Sequence, residues 1–319
     1  MNRLKIRWLA LGLSALLCAG LAGCGQPAES PSASQPDPEP QTPAAPAVFE
    51  AYGCWFGTPD PLDPASVEHF ADKVLTIQET YLSPDCPVYY AVIPDKTEFA
   101  PAGSPVLDSA PMLEILAERL DGRAVGIDLT GALTLTDYYK TDSHWRQEKL
   151  QPVLDRLGEA MHFKIDLSGW TAQSHAGFKG SYAKDIPAEE MPEEELVWLV
   201  SESTGTAEAQ VEHFQGDCTS VYDLGRLDSG IPYDVYLSGA TPLVTIYNPN
   251  SASAQELVIF RDSFGSSIAP LLTEEYRTIT LVDLRYMVSG MLPEHVDFHG
   301  QDVLFLYSAA VVNRSALLR

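Results

Sequence analysis

Two short segments of the sequence carry the residue types that nucleophilic catalysis needs. The first is Tyr138–Trp145 (YYKTDSHW), in which Asp142 and His144 are two residues apart. Alternate residues of an extended chain project to the same side, so this Asp can accept a hydrogen bond from the His and fix its tautomer. The His can then take a proton from a serine hydroxyl. A structural Asp-x-His in a loop is the alternative interpretation.

The second segment is Arg261–Ser267 (RDSFGSS), which directly follows the apolar run Glu256–Phe260 (ELVIF). A serine at a strand-to-helix turn exposes its hydroxyl beside the N–H groups and positive dipole end of the next helix, where an oxyanion would develop. This pattern makes Ser263 a candidate nucleophile. Helix capping by Ser263 or Ser266 would explain the same residues without catalysis.

The elements that must position these residues alternate along the chain. Apolar runs predict strands at Pro87–Pro94, Ala124–Leu129, Pro242–Asn248, Glu256–Phe260, Thr278–Asp283 and Asp302–Ala309. Amphipathic patterns predict helices at Pro64–Tyr81, Pro111–Leu120, Arg146–His162, Glu193–Ser203 and Ser266–Tyr276. Continuous apolar runs are typical of strands buried on both faces. The alternation therefore predicts an α/β three-layer sandwich with a mostly parallel sheet.

Ligands of such sheets bind beyond the carboxyl ends of the strands, which is where both segments fall. We expect residues 49–319 to form one α/β domain. Residues 165–235 fit the alternation less well and are predicted to be a loop-rich insertion.

The N-terminus has the layout of an export signal. Arg3, Lys5 and Arg7 precede an apolar run of about 15 residues, which is short for a membrane span. Leu21–Cys24 (LAGC) resembles a bacterial lipoprotein box, which predicts cleavage after residue 23 and lipidation of Cys24. An ordinary secretory signal and a short anchor helix are the alternatives. Residues 24–48, rich in Pro and Ser, are predicted to be a linker. We expect the protein to be exported and lipid-anchored on the outer face of the cell membrane, or on the periplasmic side of an outer membrane.

The charge of the chain restricts its partners. Its formal net charge is −24, and loss of the three N-terminal cations would deepen it to −27. This excess argues against binding of nucleic acid and against electrostatic docking on anionic lipid. His295 and His299 have a metal-ligand spacing but no third ligand in view, so we predict no metal site and no cofactor. Beyond the predicted lipid site Cys24, three cysteines remain, Cys54, Cys86 and Cys218, and their pairing is open.

Four blocks in the same order resemble the DHHW family, which is named for an Asp-His-His-Trp motif. The blocks are YYKTDSHW, then SVYDLGRLDSGIPYDVYLSGATPLVTIYN, then LVIFRDSFGSSIAPLL, then ITLVDLRY. That family is similar to the alginate-acetylation proteins of the SGNH-hydrolase-like superfamily, and its members are exported bacterial proteins. The resemblance covers roughly residues 138–308. It implies an SGNH-like fold in which the Asp-x-His block precedes the serine, the reverse of typical SGNH hydrolases, and triad order is free if the geometry is kept.

The resemblance implies a triad of Ser263 as nucleophile, His144 as general base and Asp142 as its orienter. Tyr139, Trp145 and Arg285 are candidate substrate contacts, although a salt bridge is the simpler interpretation of Arg285. Two departures from the family pattern stand out. Ser143 occupies the second position of the motif, where the family has a His, and Ala240 and Thr241 follow Gly239 where an Asn-like amide is expected. The predicted oxyanion donors are therefore the backbone N–H groups of Ser263 and Gly239.

The function implied is acyl transfer at an ester, as an O-acetyl esterase or O-acetyltransferase on a cell-envelope or secreted polysaccharide. Export or acetylation machinery would be a partner. A non-catalytic glycan-binding or assembly lipoprotein on the same scaffold is the alternative. A solute-binding lipoprotein is a third interpretation, and it would require two similar lobes without convergence of Ser, His and Asp.

Overall fold

The computed structural model describes residues 47–201, 210–214, 216, 218–249, 251 and 253–319. The predicted signal segment, the lipidation candidate Cys24 and nearly all of the predicted linker lie outside these residues. Within the described ranges, no helix combines the length and the apolar character that a membrane span requires. The described residues form one compact unit.

The strands are numbered along the described chain. They are β1 (Val48–Ala51), β2 (Cys54–Gly57), β3 (Val88–Ile93), β4 (Val125–Gly126), β5 (Thr171–Ala176), β6 (Glu195–Val200), β7 (Gln210–His213), β8 (Cys218–Thr219), β9 (Leu243–Tyr247), β10 (Glu256–Arg261), β11 (Thr278–Val282) and β12 (Asp302–Ser308). The α-helices are α1 (Pro64–Tyr81), α2 (Ala110–Arg119), α3 (Gln151–Met161), α4 (Phe264–Ile268), α5 (Leu292–His295) and α6 (Ala309–Val312).

One central sheet positions the site. Its strand order is β4-β3-β12-β10-β11-β9-β7-β8. The first five strands are parallel, and β9, β7 and β8 add antiparallel partners beyond β11. The predicted α/β fold with a mostly parallel sheet is confirmed. Because β3, β10, β11 and β12 run the same way, the segments that follow them emerge at one edge of the sheet.

The sheet is buried on both faces, as its apolar runs predicted. Alternate residues of β10 serve opposite faces, with Leu257 and Ile259 on one side and Val258 and Phe260 on the other. Helix α3 and the segments before and after it pack on the first side, and helices α1, α2 and α6 pack on the second. The period of two along each strand therefore produces the three layers.

One predicted helix is wrong. The amphipathic pattern over residues 193–203 predicted a helix. Instead, Glu195–Val200 forms β6, which pairs antiparallel with β5 over six residues. The run Leu196–Val200 contains β-branched and aromatic side chains, and cross-strand pairing stabilises such a run more than a helix does.

Other boundaries shift. The predicted helix Ser266–Tyr276 begins earlier, as α4 at Phe264, and continues as 3-10 turns over Ala269–Glu274. The predicted strand Ala124–Leu129 is reduced to the two residues of β4 at the sheet edge. Residues 165–235 contribute the β5–β6 hairpin and the β7–β8 pair. Cys54 and Cys86 are buried free thiols, and the side chain of Cys218 is not among those described.

The stacked pair Phe260 and Phe305 provides a test of the core between the sheet and helices α1, α2 and α6. The two rings lie 4.5 Å apart between centroids, and both residues are at most 1% exposed. We expect Phe260→Ala to lower the free energy of unfolding by about 3–5 kcal/mol, because it removes buried apolar area and leaves a cavity. Urea denaturation followed by circular dichroism measures this. Tyr286→Ala, at an exposed ring, is the control and should change stability by about 0.5 kcal/mol or less. Equal effects of the two substitutions would contradict the packing described.

Candidate active site

Ser263 lies two residues beyond the end of β10. Asp262, which lies between them, caps the turn into α4. The Asp262 carboxylate accepts from the Phe264 N–H at 3.0 Å and from the Ser308 N–H and hydroxyl at 2.8 and 2.7 Å. The Ser263 side chain makes no capping hydrogen bond to α4. Capping therefore does not explain Ser263, and its hydroxyl is available to another group.

That group is His144. The His144 Nε2 atom lies 2.7 Å from the Ser263 hydroxyl oxygen, although the two residues are 119 positions apart in the chain. The other ring nitrogen, Nδ1, lies 2.5 Å from Asp142 Oδ1. The structure thus brings the three predicted residues into one hydrogen-bonded series, in the arrangement that a Ser/His/Asp triad requires.

Asp142 is held as a carboxylate. It is 3% exposed, and its oxygens also accept from the backbone N–H groups of His144 at 2.8 Å and Ser181 at 2.6 Å. Burial alone would raise the pKa of Asp142, but His144 and these N–H donors outweigh it and hold the pKa below the usual range. The backbone approaches closely here, since a Cβ at Gly180 would stand 2.3 Å from the Asp142 Cβ. Only glycine fits at that position without a shift.

The imidazole is oriented by aromatic packing. The His144 ring stacks on Tyr233 with centroids 3.9 Å apart and an interplanar angle of 16°. The Tyr233 hydroxyl reaches the Ser267 hydroxyl oxygen at 2.9 Å, and the Trp145 indole N–H donates to that same oxygen at 2.8 Å. Ser267 in α4 therefore anchors both neighbours of the His144 ring to the helix that follows the candidate nucleophile.

The predicted substrate contacts lie elsewhere. Tyr139 and Trp145 are both 0% exposed, and neither lines the cleft described below, so the prediction that they contact substrate is wrong. The Tyr139 ring packs between Phe178 and Tyr233, in the interior behind the loop of residues 139–144. Arg285 holds Asp283 through two donors at 2.9 and 2.7 Å, so its guanidinium is engaged in the alternative salt bridge.

The prediction that Gly239 supplies an oxyanion donor is also wrong. Its N–H donates to the Tyr236 carbonyl at 3.1 Å, so it is already engaged within a turn. Leu237, Ser238 and Gly239 all have positive φ, of 54°, 60° and 92°. Such backbone is costly for Leu and Ser and is found preferentially at functional sites. A Cβ at Gly239 would also stand 2.5 Å from the Asp234 carboxyl, which explains the glycine. The Ser263 N–H stays a predicted donor.

A cleft of about 630 Å³ opens above the serine. Its lining combines the three candidate residues with apolar and charged side chains, among them Phe178, Lys179, Lys184, Ile231, Pro232, Tyr233, Asp234 and Ala240. Burial raises the pKa of the Asp234 carboxyl above its usual value, with Arg226 and His144 opposing that effect. The cleft therefore offers both signs of charge beside the serine.

Sequence reasoning missed a buried carboxylate behind the loop. Glu194 belongs to the acidic run 188–195, whose composition indicates a solvated helix start, yet its side chain is only 6% exposed. It accepts from the Lys140 N–H at 2.5 Å, and from the Thr141 N–H and hydroxyl at 3.2 and 3.1 Å. No pattern in that run of acids distinguishes this member from its exposed neighbours. Among the residues that the structure describes, no three His, Cys, Asp or Glu side chains group as metal ligands.

Comparison with solved structures identifies the fold. A DHHW family protein from Eubacterium siraeum DSM 15702 is 18% identical, with a TM-score of 0.67 over 85% of this chain and 95% of that one. PatB1 of Bacillus cereus is 19% identical, with a TM-score of 0.62 over 83% of this chain and 96% of that one. The O-acetyltransferase domain of Pseudomonas putida AlgJ is 10% identical, with a TM-score of 0.50 over 84% of this chain and 93% of that one.

No protein-family model and no curated protein sequence matches the chain. The resemblance in fold is nevertheless the one that the four sequence blocks predicted, and it extends over most of the chain. The protein therefore has an α/β fold similar to those of a DHHW family protein, of PatB1 and of the AlgJ O-acetyltransferase domain.

Proposed function

We propose that the protein is a serine-dependent O-acetyl esterase or O-acetyltransferase that acts on a cell-envelope or secreted polysaccharide. The observation that carries this proposal is the hydrogen-bonded series from Ser263 through His144 to Asp142, with distances of 2.7 and 2.5 Å. The series lies at the floor of an open cleft, beyond the carboxyl end of a central parallel strand. The similarity in fold to an O-acetyltransferase domain supports the same reaction class.

The proposed reaction begins when Ser263 Oγ attacks the carbonyl carbon of an acetyl ester. His144 Nε2 takes the serine proton, and Asp142 stabilises the resulting imidazolium. The tetrahedral intermediate collapses to an acetyl-serine ester, and His144 returns its proton to the leaving alkoxide. A water or a sugar hydroxyl then enters, gives its proton to His144, and attacks the acetyl-serine. The second tetrahedral intermediate then releases acetate or the acetylated sugar, and His144 returns its proton to Ser263 Oγ.

The choice between hydrolysis and transfer depends on which hydroxyl enters second. A volume of about 630 Å³ is in the range of pockets that hold small-molecule ligands, which leaves room for a sugar beside the acetylated serine. Ile231 and Pro232 give one wall an apolar surface, and Asp234 and Lys179 offer polar partners for sugar hydroxyls. The net charge of −24 disfavours strongly anionic polymers, so we propose a neutral or amino-sugar glycan.

Substitution of the triad tests the chemistry. We expect Ser263→Ala and His144→Ala each to lower the kcat for p-nitrophenyl acetate by at least about 10³-fold, because nucleophile and base act as one unit. A serine-directed phosphonate should label Ser263 in the wild-type protein, and that label should disappear in His144→Ala. Stopped assays and peptide mass spectrometry measure the two effects.

Ser168→Ala is the matched control, since Ser168 is exposed and lies outside the cleft. It should keep wild-type turnover and labelling. If the folded wild-type protein neither turns over the ester nor accepts the phosphonate, the enzyme proposal fails. In that case the glycan-binding alternative would replace it.

The entry of a sugar is tested by competition with water. We expect neutral and amino-sugar oligosaccharides, supplied with p-nitrophenyl acetate, to emerge O-acetylated if the protein is a transferase. The measurement is mass spectrometry of the oligosaccharides alongside p-nitrophenol release. Release of acetate with no acetylated sugar, whichever oligosaccharide is supplied, would identify an esterase. Ser263→Ala serves as the control, and sugar acetylation by it would show that the transfer does not depend on Ser263.

We further propose that the chain is an exported lipoprotein whose Cys24 carries the lipid. The support is the basic and apolar N-terminus, the LAGC box and the Pro-rich stretch after it. Acyl chains would then supply the membrane attachment that a net charge of −24 cannot supply, because each buried CH₂ contributes about 0.8 kcal/mol.

Replacement of Cys24 tests the anchor. We expect Cys24→Ala to abolish incorporation of an alkyne-tagged palmitate, because no thiol remains at the box. Cys18→Ala should keep the label, since that cysteine precedes the predicted cleavage point. Labelling is read by gel fluorescence after coupling of a dye to the alkyne. Retention of label in Cys24→Ala would contradict the proposed site.

A further inference from the structure

A lysine is buried behind the loop that carries Asp142 and His144. Lys96 follows β3 by three residues and is 2% exposed. Its ammonium group donates to backbone carbonyls at Trp55 (2.6 Å), Tyr139 (2.6 Å), Asp142 (3.1 Å) and Lys140 (3.2 Å). No carboxylate forms a salt bridge with it in the part of the chain that the structure describes. The charge is therefore solvated by peptide carbonyls.

Three of these four carbonyls belong to the loop itself. The loop is closed by the bridge between Tyr138 and Trp145 and by the Tyr139 N–H, which donates to the His144 carbonyl at 3.1 Å. The carbonyls at 139, 140 and 142 consequently point inward, away from solvent and toward Lys96. A point charge with three donors can gather such carbonyls at one place, which no apolar side chain can do.

An ammonium group at this depth is costly. Desolvation lowers the pKa of Lys96 to about 8, and nearby acidic groups oppose the effect only in part. The titratable groups that face it are Cys54, Asp95, Asp142 and Glu194, and the rings of Phe56 and Tyr182 lie 5.1 and 5.6 Å from its nitrogen. A fold that needed only packing would be served by an apolar residue here. The desolvation cost indicates that the ammonium charge of Lys96 has a role beyond packing.

We propose that Lys96 is a positioning residue, whose ammonium group holds the carbonyls of the 139–142 loop so that Asp142 aims His144 at Ser263. The backbone carbonyl of Asp142 accepts a hydrogen bond from Lys96, and its carboxylate accepts from the N–H groups of His144 and Ser181. Both ends of this residue are thereby fixed. For its kinetic readout the inference rests on the proposed Ser263 chemistry.

The proposal predicts opposite responses of activity and stability to rising pH. Lys96 loses its proton in the folded protein as the pH rises through about 8, whereas an unfolded lysine keeps its proton to about 10.4. Between these values the unfolded state binds more protons, so this group makes the protein more stable as the pH rises. Activity should fall over the same range because the loop loses its cation. The Cys54 thiol does not account for that fall, since burial raises its pKa above 9.0.

The experiment uses the full chain in detergent and the variant Lys96→Met. We expect kcat for p-nitrophenyl acetate and the rate of phosphonate labelling at Ser263 to fall together by about 100-fold, as for a displaced catalytic group, with KM unchanged. Amide hydrogen exchange across residues 138–145 should become faster at neutral pH. The wild-type labelling rate should decline as the pH rises through about 8, with unchanged circular dichroism, and the residual rate of Lys96→Met should show no such decline.

Val74→Ala is the matched control, because Val74 is 0% exposed in the core on the opposite face of the sheet. It should lower stability and leave kcat and exchange in the loop at wild-type values. Wild-type kcat in Lys96→Met, or a wild-type labelling rate that is constant from about pH 7 to about pH 10, would overturn the proposal. The pH series decides the matter if Lys96→Met fails to fold.

A wild-type protein that the phosphonate never labels is a failure of the proposed function and not of this inference. The exchange measurement would then decide alone. Faster exchange at residues 138–145 in Lys96→Met supports a role in positioning the loop, and wild-type exchange there contradicts it.

Discussion

The site depends on one contact between distant parts of the chain, the hydrogen bond of 2.7 Å between the Ser263 hydroxyl and His144 Nε2. These residues are separated by 119 positions, so local chain geometry cannot keep them together. Ser263 is rigid because it follows a central strand and because Asp262 caps the turn. His144 lies on a loop, and the structure must therefore make that loop as rigid as the strand end.

Two buried charged side chains, Glu194 and Lys96, hold the backbone of this loop. Side chains of these types are rarely buried. Glu194 accepts from the N–H groups of Lys140 and Thr141, and Lys96 donates to the carbonyls of Tyr139 and Asp142. An anion thus binds the donors of the loop and a cation binds its acceptors. Each would be costly alone, yet together they satisfy backbone groups that water cannot reach. Glu194 directly precedes β6, the strand for which the sequence predicted a helix.

A single motif contains both the candidate catalytic residues and residues that only pack. In YYKTDSHW, Asp142 and His144 face Ser263, whereas Tyr139 and Trp145 are 0% exposed. Trp145 is joined to Ser267, so the aromatic member of the motif ties the loop to the helix after the serine. The same segment therefore supplies both the proposed chemistry and the contact that aligns it. The cleft above it is formed by residues 178–184 and 230–240, which belong to the less regular part of the chain.

The sequence by itself determined the strand runs, the parallel α/β scaffold and the two segments that meet at the site. Strands buried on both faces leave continuous apolar runs, and a serine directly after such a run must lie at the carboxyl edge of the sheet. Only the tertiary structure decided the roles of Tyr139, Trp145, Gly239, Glu194 and Lys96. By residue type alone, the side chain of Trp145 could stack on a sugar or pack in the core, and the Gly239 N–H could donate to an oxyanion or to a backbone carbonyl. Glu194, one of several acidic residues in its segment, could be exposed to solvent or buried. The choice depends on which backbone groups lie nearby once distant segments pack, and that information is not contained in residue type or local spacing.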